Sequence, residues 1–93
     1  MQLPGHRPQG EYEIMMITIE EDGKQYDIKA GRDSKIENTL DIMKKRGLLS
    51  FHGADMPEQI YSVRRQRRIP VQCSYRENGI YQGDILRVIR EDI

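Results

Sequence analysis

Apolar and polar residues alternate from Glu11 to Glu21 and again from Gln25 to Ala30, with Asp22-Gly23 between the two runs. Period-two alternation marks a half-buried strand. Asp-Gly between two such runs predicts a hairpin closed by a type I′ turn, whose central residues both need positive φ. A two-residue turn sets the register, pairing Glu21 with Lys24, Ile19 with Tyr26, Ile17 with Ile28 and Met15 with Ala30. The last three pairs share one apolar and aromatic face. The other face pairs Glu20 with Gln25, Thr18 with Asp27 and Met16 with Lys29, so it is polar near the turn and apolar near Ile14 and Met16.

The period then changes. Ile36, Leu40 and Met43 recur at helical spacing with Ile42 beside them, while Glu37, Asp41, Lys44 and Lys45 take the watery side. Ser34 followed by Glu37 reads as a capping box. Lys44, Lys45 and Arg46 suit the negative end of the helix dipole, and Gly47 suits a left-handed cap, which predicts a helix over Lys35–Arg46. Leu48–Glu58 is irregular, with Gly53 and Pro57 ending any regular element. Ile60–Val63 reads as a short strand whose inward set is either Ile60 and Ser62 or Tyr61 and Val63. Arg64–Arg68 reads as a basic turn. Ile69–Gln72 reads as a short strand that Pro70, lacking a donor, confines to an edge. Ser74–Ile80 reads as a looping turn anchored by Tyr75 and Ile80. In the tight turn Gln82-Gly83-Asp84, Gly83 supplies the positive φ of a type II turn and Asp84 an acceptor for local amides. Ile85–Ile89 is apolar on both faces except at Arg87, which predicts a central strand.

This order, with a right-handed crossover through the helix, predicts an α+β fold. Its arrangement is the ubiquitin-like β-grasp, a mixed sheet of order 2-1-5-3-4 with one helix packed across it. The stretch Tyr75-x-x-Asn78-Gly79-Ile80-x-x-Gly83-Asp84-Ile85-Leu86-Arg87-Val88 resembles the closing signature of ubiquitin-like proteins. Within that class the chain is similar to the small bacterial YukD/EsaB-like proteins, accessory components of type VII (WXG-protein) secretion systems. The likeness spans Met15–Ile89, and its motif is the block Gly79–Val88. It departs at Tyr75, where leucine is usual, and in the first ten residues, which extend beyond the usual start. The resemblance implies a cytoplasmic accessory or regulatory component that docks on a larger, membrane-anchored protein of the secretion apparatus.

Composition narrows the chemistry. Length allows one domain, read as residues 11–93 behind a disordered N-terminal tail, Met1–Gly10. Fifteen Lys and Arg balance 15 Asp and Glu, so no global field recruits nucleic acid or membrane. The charge is uneven along the chain. Residues 1–43 hold five basic and nine acidic side chains, and residues 44–93 hold ten and six, which predicts a cationic end. The single cysteine, Cys73, excludes an internal disulfide and any four-cysteine cluster or zinc site, and is read as a small, half-buried residue. No apolar run nears the roughly 20 residues that span a bilayer, and no signal-peptide core precedes the first strand, so a cytoplasmic domain without membrane insertion is expected. Ubiquitin-type conjugation and sulfur transfer need a C-terminal Gly-Gly, whereas this chain ends Arg90-Glu91-Asp92-Ile93. No Gly-x-Ser-x-Gly, phosphate-cradling loop or carboxylate pair is present, so neither catalysis nor a cofactor is expected. His52, Asp55 and Glu58 share one loop, but three mixed ligands without a second histidine do not make a metal site, and His6 lies in the tail.

Two surfaces remain as binding candidates. Ile14, Met16, Ile85 and Ile89 are expected on the sheet face away from the helix, on adjacent strands. Burying one such side chain is worth about 1.5–3 kcal/mol, so four left in water point to a protein partner or to a homodimer. The competing reading is scattered apolar residues covered by the stems of Lys29 and Arg87. Arg64, Arg65, Arg67 and Arg68 offer a cationic knob for carboxylates or phosphates. Their competing role is a solvated turn that keeps an edge hairpin from pairing with neighbours. Nucleic acid is disfavoured, because no glycine-aromatic RNA motif accompanies the arginines. The expectation is a non-catalytic, ubiquitin-like protein-binding module. The alternatives are an unrelated β-grasp adaptor or dimerisation module, or a small RNA-associated protein using its Arg-rich turn.

Overall fold

A computed structural model describes residues 14–51 and 56–89. The expected tail Met1–Gly10, the start of the first strand, His6, His52, Asp55 and residues 90–93 lie outside them. Strands β1 (Ile14–Glu21) and β2 (Lys24–Gly31) pair antiparallel in the register the two-residue turn demands, from Glu21 opposite Lys24 to Met15 opposite Ala30. Asp22 (φ 50°) and Gly23 (φ 84°) both sit in the left-handed region that a type I′ turn requires. Met15, Ile17 and Ile19 are buried on one face and Met16 is exposed on the other, so the alternation in sequence becomes a sheet with two unlike sides.

Helix α1 (Ile36–Lys45) lays Ile36, Leu40 and Met43 against the sheet. Ile42 does not join them. Two positions beyond Leu40 it is turned by about 200°, and it is 52% exposed. The C-terminus closes as the glycine predicts: Gly47 has φ 77°, its N–H donates to the Lys44 carbonyl at 2.9 Å, and the Leu48 N–H donates to that of Met43 at 2.9 Å. The N-terminus does not close as predicted. The cap residue is Lys35, not Ser34, and no side chain caps it. Main-chain carbonyls from the return loop do so instead, with Ile36 N–H donating to Cys73 O at 3.2 Å and Glu37 N–H to Val71 O at 2.8 Å. Ser34 is held one residue earlier, its N–H on Gly31 O and its carbonyl accepting from Tyr75 N–H.

Strands β3 (Gln59–Ser62), β4 (Arg67–Pro70) and β5 (Ile85–Val88) complete a sheet of order β2-β1-β5-β3-β4. β5 lies parallel to β1 and antiparallel to β3, the central place its two-faced apolar pattern predicts. The inward set of β3 is Ile60 and Ser62, both fully buried. β4 begins two residues earlier than expected. Gln66 turns the chain with φ 57°, after which Arg67 and Arg68 already pair with Ser62 and Tyr61. An edge strand tolerates such charges, which is why two arginines read as turn in the sequence stand in a strand. Between sheet and helix lie Ile17, Ile19, Leu40, Ile60 and Leu86, closed at one end by Tyr75 and Ile80 from the loop before β5. Tyr75 is fully buried and its hydroxyl donates to Thr39 Oγ1 at 2.7 Å, tying that loop to the helix.

Candidate binding surface

The face of the sheet away from α1 is laid out in rows by the strand register. One row crosses β2, β1, β5, β3 and β4 as Gln25, Glu20, Arg87, Tyr61 and Arg68. Glu20 Oε1 joins the first three of these, 3.4 Å from Arg87 Nε and 3.5 Å from Gln25 Nε2. The next row runs Asp27, Thr18 and Ile85, with Thr18 Oγ1 donating to Asp27 Oδ1 at 2.6 Å. Beyond it Met16 stands beside Lys29, and on its other side lies Gly83, which has no side chain and whose N–H donates to Met16 O at 2.8 Å. Ile14, opposite Gly31, ends the strand.

These rows divide the predicted apolar set. Ile14 (56% exposed), Met16 (38%) and half-buried Ile85 fall on one side of the Glu20–Arg87 row, and Ile89 falls on the other. Because β1 and β5 run parallel with Thr18 beside Ile85, Ile14 and Ile89 sit at opposite ends of the sheet. The structure therefore brings three of the four together.

The arginine cluster is divided as well. Arg64 and Arg65 are in the β3–β4 turn, whereas Arg67 and Arg68 belong to β4 and alternate across it, Arg68 beside Tyr61 on the outer face and Arg67 beside Ser62 on the other. Arg65 folds back on the loop before β5, where Nη1 donates to Gly79 O at 3.3 Å and a β-carbon on Gly79 would stand 3.3 Å from its guanidinium carbon. Arg64 lies over Gly83, its Nη2 3.4 Å from where a β-carbon there would be. That places one arginine at the border of the Met16 patch, since Gly83 is Met16's neighbour.

Asp84 sets this corner. It is 1% exposed; Oδ2 accepts from Ser62 Oγ at 2.8 Å, and Oδ1 accepts from the N–H groups of Arg64 (3.1 Å) and Ile85 (2.7 Å). One buried carboxylate thus joins the end of β3, the basic turn and the start of β5, which is the local-amide role its sequence position predicts, extended to a distant strand.

No family model matches the chain, and no curated protein sequence does. Solved structures do. The ubiquitin-like domain of an Arabidopsis thaliana protein superposes over 100% of this chain and 95% of its own with a TM-score of 0.64 at 16% identity. A designed protein based on ubiquitin covers 82% of this chain and 87% of its own, with a TM-score of 0.60 at 18% identity. The fold is the ubiquitin-like β-grasp. The C-terminal ubiquitin-like domain of mouse tubulin-specific chaperone e, at 8% identity and a TM-score of 0.56, covers 97% of this chain and 99% of its own. Identities this low carry the architecture alone.

Several residues of this β-grasp surface escaped the sequence reading. Tyr81 is 57% exposed, with the Arg32 guanidinium 5.1 Å from its ring centroid. Arg32 directly follows Gly31, the partner of Ile14, so this cation–aromatic pair stands at the Ile14 end of the sheet. Gln82 Oε1 accepts from Met16 N–H at 3.0 Å, and half-buried Val63 donates its N–H to Ile85 O at 2.9 Å. Tyr81 and Gln82 signalled themselves only by preceding Gly83, which reads as loop chemistry and not as surface, and Val63 stood in the alternative inward set of the third strand. Among the described residues, no group of three or more His, Cys, Asp or Glu is placed to hold a metal ion, and Glu58 is the one described member of the trio His52, Asp55 and Glu58.

Proposed function

We propose that this β-grasp domain is a non-catalytic module that binds a protein through the helix-free face of its sheet, at Ile14, Met16 and Ile85. The observation that carries this reading is that the strand register sets those three apolar residues on one end of the outer face, with Ile14 56% and Met16 38% exposed and a glycine, Gly83, as Met16's neighbour. Lys29 beside Met16 and Arg64 over Gly83 rim the patch with positive charge, which suits a partner segment that is apolar in the middle and acidic at its flanks. Capture from native lysate by the wild-type domain and by the Met16→Glu/Ile85→Glu variant tests it. Partners are expected to be lost from the variant while its circular dichroism is unchanged, and capture that survives both substitutions overturns the proposal.

The finer reading makes the chain a cytoplasmic accessory component of a type VII secretion apparatus. Its support is the sequence block Gly79–Val88. The structural neighbours bear on the β-grasp and not on that role. No helix among the described residues is long and apolar enough to cross a membrane, so docking on the apparatus would be through the partner protein. Genes for WXG-type substrates and a membrane-bound ATPase beside this one are the expected finding. Different neighbours would leave the general binding module and remove the secretion role.

A further inference from the structure

The sheet has two edges. β4 is four residues long and Pro70 removes a donor from it. β2 is eight residues long, contains no proline, and among the described residues nothing pairs with its outer side. The hairpin turn decides which backbone groups face outward there. A two-residue turn makes Glu21 and Lys24 a hydrogen-bonded pair, so Lys24, Tyr26, Ile28 and Ala30 bond to β1, and Gln25, Asp27 and Lys29 turn N–H and C=O away from it. The same alternation on β1 is visible on its other side: Thr18 N–H donates to Asp84 O and Met16 O accepts from Gly83 N–H, both toward β5. β2 therefore presents a run of outward main-chain groups from Gln25 to Lys29, which long edge strands ordinarily avoid.

We infer that β2 is the interface between two copies of this chain, paired antiparallel about a two-fold axis through Ile28. Registers centred on a residue keep both helices on one face and match outward groups with outward groups, and centring on Lys29 sets the two Lys29 side chains opposite each other. Centring on Asp27 sets the two Asp27 carboxylates directly opposite each other. Centring on Tyr26 sets Lys24 opposite Ile28. Centring on Ile28 sets each Asp27 opposite the other copy's Lys29 as a hydrogen-bonded pair, and sets Ile28 against Ile28 and Tyr26 against Ala30 on the helix side. Opposite charges facing across strands stabilise a pairing and like charges disfavour it, so the register centred on Ile28 is selected. Lysine on an edge usually discourages pairing, but here each Lys29 meets an Asp27, and Lys24 falls opposite Arg32, beyond the end of the other copy's strand. Tyr26 and Ile28 are only half-buried although they pack on the core, so the second copy covers apolar surface that one copy leaves open. This interface meets the Met16 patch at Lys29, which borders both, while Ile14, Met16 and Ile85 themselves lie on β1 and β5.

Charge exchange followed by sedimentation velocity tests the inference on the full chain. The wild type is expected to dimerise with rising concentration. Lys29→Asp alone, or Asp27→Lys alone, should weaken self-association by roughly tenfold or more, because each creates two like-charge pairs. The double variant Asp27→Lys/Lys29→Asp should restore it. Ile28→Cys in a Cys73→Ser background should form a disulfide-linked dimer on oxidation, since non-hydrogen-bonded partners stand about 4.5 Å apart between Cα atoms. Lys24→Cys in the same background should not. These positions are exposed or half-buried, and circular dichroism verifies that each variant folds. A wild type that remains monomeric at the highest concentration reached overturns the inference. So does a dimer that is indifferent to the charge exchange.

Discussion

Asp84 shows how much one buried side chain organises. Its carboxylate accepts three hydrogen bonds, from a hydroxyl on β3 and from two main-chain N–H groups. Replacing it with alanine leaves those donors facing a dry corner, so Asp84→Ala should lower unfolding stability by about 3 kcal/mol, read from chemical denaturation. The turn that carries Arg64 should loosen with it. Tyr75 makes a second prediction, for alkaline pH. Burial pushes its hydroxyl up to about 12 from 10.0. The unfolded chain then loses its proton first, so the contribution of Tyr75 is complete below pH 10 and is lost as pH rises toward 12. Unfolding stability of the wild type should fall more steeply across that interval than that of Tyr75→Phe, which has no proton to lose there. Parallel slopes would mean that Tyr75 does not titrate differently in the two states. Asp33 works in the other sense: its hydrogen bond and ion pair with Arg76, 2.6 Å away, hold its carboxyl below the usual value. That contribution is present above pH 3.8 and fades as pH falls below it.

At the scale of elements, one four-residue pattern occurs twice with different outcomes. Ser34-x-x-Glu37 precedes the helix and forms no side-chain cap, because carbonyls of residues 71 and 73 already occupy the first helical N–H groups. Ser74-x-x-Glu77 forms the reciprocal box, Ser74 N–H donating to Glu77 Oε1 at 2.9 Å and Glu77 N–H to Ser74 Oγ at 3.0 Å. Ser74→Ala should therefore cost about 1 kcal/mol and Ser34→Ala less than about 0.5 kcal/mol, the reverse of what sequence alone implies. Denaturation midpoints of the two variants measured side by side check it. The contrast also marks what was legible. The hairpin, its register and its turn are local, since two residues of known φ preference set eight pairs in place. The helix's buried stripe and its glycine stop are local too. The helix start was not, because its caps come from residues about 35 positions away, and no window of sequence contains both partners.

For the molecule as a whole, the central strand was readable and the surface was only partly so. β5 declared its place through apolar residues on both faces, and Leu86 is fully buried between β1 and β3 as that pattern requires. The grouping of surface residues depends on how β5 slides along β1, which strand order alone does not specify. With Thr18 beside Ile85, the parallel register carries Ile89 past the Glu20–Arg87 row, away from Met16, while a shift of four residues would have gathered all four. The same register predicts a difference between two otherwise similar substitutions. Ile85→Glu places a carboxylate in the patch that Ile14 and Met16 share, and should abolish partner binding. Ile89→Glu alters only the far side of a polar row and should leave binding within about twofold of wild type, an effect of the size expected for a remote surface change. Both residues are half-buried, so a comparable loss of stability in the two variants provides the internal control. Binding lost equally in both would place the interface across the Arg87 row and not at the Met16 end.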